Sequence, residues 1–389
     1  MKRMVMNSIT DLVDGRFPST RYTGSKRRLL PHLYQIFQHL EFNTAGDIFC
    51  GTSSVAYLLK KMGKQVLVND YLYSNYWTGI AIIENNHVTL SEDDIQYIAE
   101  NGSGLDHEPG DEKEVISSTF KDYYFTDEEN RWLDRCRARI ENFSTRYASD
   151  ELIFKKALAY HALFQSALRK RPFNLFHRKN LYLRLANVVR QFGNASTWNR
   201  SFSDHICEMA CEVNGLVYDN GVSNRAYCEN ANTWLAPPTD LIYLDPPYVW
   251  SGASQSSIDY LVKYHFLEGI ARYDEWTDLI DQDSPLLAIK DGYKQWPGGT
   301  GGSSPSLRSM YKALFEKYND RTIVLSYRDN GIPTVDELSR MIKDVKPYVY
   351  SQTFPYKYAL RKSADQSKSL NEIIFIGIDR PVSGLGDEL

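Results

Sequence analysis

Leu241-Ile242-Tyr243-Leu244-Asp245-Pro246-Pro247-Tyr248 is the stretch that decides how this chain folds. Its first four residues are apolar and rich in β-formers, which predicts a buried strand. Pro-Pro lends no N–H to a ladder, so the strand has to stop at Asp245. A carboxylate, a rigid turn and an aromatic ring then meet at a strand's carboxyl end, the edge of an open α/β sheet where ligands bind. Pro246 and Pro247 offer only carbonyl oxygens, and ionised Asp245 adds only acceptors. Such a cluster suits an amino group held by its protons, with the Tyr248 ring as a face for a flat ring to stack on. Asp and Pro are also ordinary turn residues, so the flanking sequence has to separate a site from a plain strand-to-turn join.

Upstream, Ala45-Gly46-Asp47-Ile48-Phe49-Cys50-Gly51-Thr52-Ser53-Ser54-Val55-Ala56 reads as strand, glycine-containing turn and helix, the pattern of a nucleotide-type site. Gly51 lets the backbone approach a ligand with no Cβ in the way. Gln65 to Asn69 is a second strand ending at Asp70, and an acidic residue in that place grips a ribose hydroxyl pair. Earlier still, Tyr22-Thr23-Gly24-Ser25-Lys26 leads into a helix running to Leu40, with residues 1–20 as an irregular arm. Free N–H groups at Gly24 and Ser25, beside Lys26, suit an anion, though a capped amphipathic helix with a solvated basic turn has the same sequence.

Between Tyr71 and Val222 the character changes to charged, helix-forming stretches such as Thr126 to Phe143 and Asp150 to Leu168. There the run Arg169-Lys170-Arg171-Pro172-Phe173-Asn174-Leu175-Phe176-His177-Arg178-Lys179 interleaves cations with aromatic rings. Arg169, Lys170, Arg171, Arg178 and Lys179 form a candidate phosphate surface, with a solvated face as the plainer alternative. Cys207, Cys211 and His205 lack a fourth ligand, so no metal is expected. After the insertion, Asn224 to Ala231 is a short strand with the acidic residue Glu229 at its end. Beyond Tyr248, Ser251 to Ser257 is a candidate lid and His265 to Ile280 is helical. Pro285 to Ile289, Thr322 to Ser326 and Glu372 to Ile376 are expected strands, and Trp296 to Pro305 a loop. Strands and helices thus alternate at both ends of the chain, which predicts one α/β sheet interrupted by a mainly helical insertion.

Composition bounds the rest. A length of 389 residues, 42% hydrophobic and 24% charged, fits one large domain with an insertion, or two domains. No apolar run has the length of a membrane span, and Met1 to Asn7 lacks a signal-peptide core, so a cytoplasmic protein without membrane attachment is expected. The 5 cysteines have no framework spacing and fit reduced thiols. A net charge of −4 suggests no nucleic acid by itself; only the local basic run does.

Taken together, these residues resemble the adenine-specific DNA methyltransferases of the type represented by the bacterial DNA adenine methylase. In that family an aromatic-x-Gly-x-Lys motif precedes a Phe-x-Gly-x-Gly motif, a target-recognition insertion and Asp-Pro-Pro-Tyr. Here the order is Tyr22 to Lys26, Phe49 to Ser53, the helical segment, then Asp245 to Tyr248. Phe125-Thr126 with Asn130, Tyr264-His265-Phe266 to Trp276, and Leu325 to Asp329 also match. The likeness covers about 1–84 and 224–380 well and the insertion only patchily. One departure is Ser53, where the family has its second glycine, and weakened or reshaped donor binding is expected from it.

The resemblance implies a Rossmann-like S-adenosylmethionine-dependent methyltransferase sheet over 1–84 and 224–389, with 85–223 as helical target-recognition domain. It implies transfer of a methyl group to N6 of an adenine flipped out of double-stranded DNA, in a restriction-modification setting with a cognate restriction endonuclease. Catalysis falls to Asp245, Pro246, Pro247 and Tyr248. Donor binding falls to Tyr22, Gly24, Lys26, Phe49, Gly51, Ser53, Asp70, Glu229 and Asp245. Tyr327 joins the basic run on the DNA side, closing the pocket. Two alternatives stay open: an RNA adenine or DNA cytosine-amino methyltransferase, and a catalytically silent DNA-binding or specificity subunit. The insertion carries no code mapping side chains onto bases, so it fixes neither a recognition sequence nor an oligomeric state.

Overall fold

The computed structural model describes residues 17–18, 22, 24–100, 114–186, 195–250, 260–290, 304–356, 370–385 and 387–389. The arm before residue 17, the candidate lid and the loop from Trp296 up to 303 lie outside them. The strands, in chain order, are β1 (Thr44–Asp47), β2 (Gln65–Asn69), β3 (Arg225–Tyr227), β4 (Leu241–Leu244), β5 (Val249–Trp250), β6 (Thr322–Arg328), β7 (Gly331–Ile332), β8 (Tyr348–Tyr356), β9 (Leu370–Ile378) and β10 (Asp387–Glu388). Eight of them make one sheet in the order β10-β8-β9-β6-β4-β1-β2-β3. Neighbours from β3 to β6 are parallel, and β9, β8 and β10 close that edge antiparallel. This is the Rossmann-like sheet anticipated from the sequence.

The apolar runs explain why the sheet is central. Leu241, Tyr243, Val324 and Ile374 face one hydrophobic cluster, while Ile242, Leu244, Ile323 and Phe375 face another. Strands covered on both sides need apolar residues at every position, and β4 has them. The chain winds outward from β1 through β2 to β3, then returns to lay β4 and β6 on the other side of β1. This reversal opens a crevice at the carboxyl ends of β1 and β4.

Between Asn85 and Ser223 the described residues hold helices and no strand, including Asp127–Glu141, Ser149–Arg169 and Phe202–Asn214. Thr126 and Ser201 start two of these by reciprocal capping with Glu129 and Asp204. The helices do not keep a core to themselves: Leu163 and Ile206 belong to the same buried cluster as Val66 and Tyr243 of the sheet.

Two expectations fail. Pro285 to Ile289 is no strand, only an isolated bridge between Ile280 and Ile289. Ser284 captures the segment instead, its hydroxyl accepting the Leu286 and Ala288 N–H groups and its carbonyl that of Leu287. The helix expected from His265 to Ile280 is Tyr260–Ala271 followed by the short Trp276–Leu279. The long strand β8 is unanticipated.

Candidate active site

Each wall of the crevice comes from a strand end. β4 delivers Asp245 and the Pro246-Pro247 turn, β1 delivers Asp47 and the loop to Ser53, and β2 delivers Asp70. The cleft encloses about 670 Å³, counting the part open to solvent, and Tyr22, Gly24, Lys26, Phe49, Gly51, Asp70, Asp245, Pro246, Pro247 and Tyr248 all line it.

On the β4 side, Lys26 Nζ lies 2.8 Å from Asp245 Oδ1 and 4.9 Å from the centre of the Tyr248 ring. Lys26 is 5% exposed, so little water screens this pair. The Tyr248 hydroxyl also donates to Asp245 Oδ1, at 2.6 Å. The ring packs edge-on against Tyr327, 5.5 Å away at 76°. This placement follows from β5 pairing with β7, which folds the residues after Tyr248 back over the β6 hairpin. Gly331 makes room there, since a Cβ would stand 2.3 Å from the Tyr327 hydroxyl.

On the β1 and β2 side, Asp70 Oδ2 accepts the Gly51 N–H at 2.9 Å and Oδ1 the Leu72 N–H at 3.0 Å. Burial raises the Asp70 carboxyl, and these N–H groups oppose the rise. Asp47 is pushed well above the usual carboxylate range by burial, then by the Asp245 and Asp70 charges. Its Oδ1 is buried with no hydrogen-bond partner among the described residues. Ser53 takes the left-handed conformation, φ 56° and ψ 22°, which glycine adopts freely and a side chain enters at a cost of about 1 kcal/mol. The turn nevertheless closes, the Ser53 N–H donating to Cys50 O at 2.7 Å. Tyr22 stacks on Tyr264, 4.3 Å away at 6°, and on Tyr260.

Several sequence-derived residues stand elsewhere. Ser53 is buried behind the loop rather than on the cleft wall. Glu229 is exposed and outside the cleft lining, with its backbone tied to the Asn69 side chain. Tyr327 is fully buried, its hydroxyl donating to Pro333 O, and presents no face to a nucleic acid. The basic run is no continuous surface either. Arg171 is fully buried and donates to the carbonyls of Leu175, Tyr124 and Arg178 and to Asn180 Oδ1. Lys170 is buried against Glu129 at 2.8 Å, and Arg169 pairs with Glu208 at 2.6 Å. Arg178 and Lys179 remain exposed. Among the described residues no group of three or more metal-ligating side chains occurs, and His205 Nε2 lies 2.8 Å from Thr197 O.

Asp47, Tyr260 and Glu372 were not singled out from the sequence. Asp47 carries the same signal as Asp70, an acid ending a strand, whereas Glu372 has only its charge at the head of an apolar run.

The lining suits an adenosine-type ligand. It has a carboxylate at the end of β2, a buried oxygen at the end of β1 with no hydrogen-bond partner among the described residues, and a loop whose Gly51 takes φ 49°, where a side chain would be strained. The family described as D12 class N6 adenine-specific DNA methyltransferase matches residues 22–286. The chain is 30% identical over 241 residues to type II methyltransferase M2.HphI of Haemophilus parahaemolyticus, which is 60% of this chain and 66% of that protein. It is 26% identical over 383 residues to modification methylase StsI of Streptococcus sanguinis, covering 93% of this chain and 52% of that one. Type II methyltransferase M.NlaIII of Neisseria lactamica is 22% identical over 364 residues, 90% and 96% of the two chains. The chain therefore spans less than two thirds of the length of the first two.

Proposed function

The chain belongs to the D12 class N6 adenine-specific DNA methyltransferase family, and on that premise we propose that it methylates N6 of an adenine flipped out of duplex DNA, with S-adenosylmethionine as donor. The observation that carries this reading is the meeting, in one cleft, of the Asp245-Pro246-Pro247-Tyr248 turn with the loop and carboxylates of β1 and β2. In this reading Asp70 faces the donor's ribose, Phe49 and Gly51 line its pocket, Tyr22 and Lys26 meet its remaining polar and aromatic parts, and Asp47 adds an acceptor. Bound there, the donor supplies an electrophilic methyl group.

The protein's own part is placement. Asp245 and the Pro246 carbonyl accept the two protons of the target amine, which aims its lone pair toward the donor, and Tyr248 stacks on the base. Holding the reacting atoms in line lowers the barrier by several kcal/mol without a general base of shifted pKa. Extracting the base costs a few kcal/mol, which backbone contacts and stacking offset. We assign 1–84 and 224–389 to catalysis and 85–223 to target recognition. Action in the cytoplasm beside a cognate restriction endonuclease belongs to this proposal, and two of the relatives are named type II methyltransferases.

Transfer of labelled methyl groups from S-adenosylmethionine to mixed-sequence duplex DNA, with mapping of the modified base, tests this. Methyladenine within one short motif is expected. Label in RNA alone, or on cytosine, overturns the substrate; tight DNA binding without transfer overturns the enzyme.

A further inference from the structure

The Tyr248 hydroxyl stands between two carboxylates, 2.6 Å from Asp245 Oδ1 and 3.4 Å from Glu372 Oε2. Glu372 lies on β9 and is 1% exposed. A carboxyl inside a sheet is costly unless donors meet it, and Glu372 stands in register opposite Arg328 of β6. The phenol has one proton and gives it to one carboxylate at a time. Here Asp245 receives it, on the same Oδ1 that Lys26 approaches to 2.8 Å. Two donors thereby occupy one oxygen of the carboxylate that is assigned to the target amine. Tyr327 donates its hydroxyl proton to Pro333 O at 2.6 Å and so gives none to either carboxylate. It holds only the edge of the Tyr248 ring.

We propose that Glu372 is a positioning residue of this site, receiving the Tyr248 hydroxyl when the target amine takes its place on Asp245. The 3.4 Å contact is the open half of a switch whose closed half is the 2.6 Å contact. Turning the hydroxyl to Glu372 leaves Lys26 as the donor at Asp245 Oδ1 and gives the amine room there, while Tyr248 keeps its ring for stacking on the base. The proposal rests on the adenine methyltransferase reading of the cleft.

The test is a cycle of Glu372→Gln and Tyr248→Phe in the full chain, using a duplex that carries the methylated motif. Single-turnover methylation, donor affinity, and fluorescence of 2-aminopurine at the target position are measured. Glu372→Gln is expected to slow methylation about tenfold with donor affinity kept within about twofold. In the Tyr248→Phe background the same substitution is expected to cost under about twofold, because the hydroxyl it acts through is gone. An equal loss in both backgrounds, or none in either, overturns the proposal. If the glutamine variant does not fold, Glu372→Asp keeps the charge, withdraws the carboxylate and is held to the same pair of expectations. A wild-type chain that methylates no duplex overturns the premise as well, and shows itself before any variant is made.

Discussion

The cleft at the sheet's carboxyl edge and the run from Arg169 to Asn180 both concentrate charge and aromatic rings, yet they use them in opposite ways. In the cleft, Asp47, Asp70 and Asp245 sit at strand ends and line the cavity, even though the Gly51 and Leu72 N–H groups hold Asp70 and Lys26 holds Asp245. In the run, Arg171 turns inward and four protein oxygens take its guanidinium, which packs over Tyr124 at 4.6 Å and Phe176 at 5.2 Å. Lys170 and Arg184 enclose Glu129 in the same way; burial alone would raise that carboxyl, but the two cations hold it below the usual range. Both sets of charges find partners, but the strand ends keep theirs on a cavity wall, whereas Arg171 and Glu129 are enclosed by the fold.

Substitutions can break this contrast. Asp245→Ala should lower methyl transfer on the order of 1000-fold while folding and donor binding survive, measured by single-turnover labelling and equilibrium dialysis. Near-normal turnover would remove the role assigned to that carboxylate. Arg171→Ala should instead cost about 4 kcal/mol of stability in urea unfolding, since four acceptors lose their donor inside the protein. A stable variant with weakened DNA binding would return Arg171 to the interface.

Glu268 tests a buried charge between the two regions. It accepts the Tyr73 and Ser74 N–H groups, tying the helix after Asp70 to the helix that carries Tyr260. Burial raises its pKa from 4.5 to about 7, with the two N–H groups opposing. The folded protein then holds this proton more tightly than the unfolded chain. Stability from this group is full below about pH 4.5 and is lost as pH rises through about 7. Glu268→Gln should flatten the decline of stability between pH 5 and 8 by up to about 3 kcal/mol. An unchanged slope would mean the proton sits elsewhere.

The smallest effect sharpens the comparison from the exposed end of the basic run. Arg178→Ala with Lys179→Ala should leave stability within about 0.5 kcal/mol and reduce the salt slope of DNA binding by roughly one unit per cation. Salt-independent losses would show that these side chains, too, act through the fold.

Much of this was legible beforehand. The apolar run into Asp245, the glycine turn at Gly51 and the acid after β2 each follow from local rules about strands, proline and glycine. Their order along the chain places the cleft. What misled was local as well: Pro285 to Ile289 has a strand's composition but loses its N–H groups to Ser284, and the basic run has an interface's composition but lies against Glu129, Glu208 and Tyr124.

The sequence by itself determined which segments are strands of the parallel sheet, where its carboxyl edge falls and which acceptors the Asp-Pro-Pro-Tyr turn presents there. Those are properties of consecutive residues, set by periodicity and by missing N–H groups. The tertiary structure alone decided that Glu372, 124 residues beyond Tyr248, shares that hydroxyl with Asp245, and that Arg171 is core while Arg178 is surface. Hydrogen bonds and burial are made in space by segments far apart in the chain, and the spacing of residues along it does not encode which of them will meet.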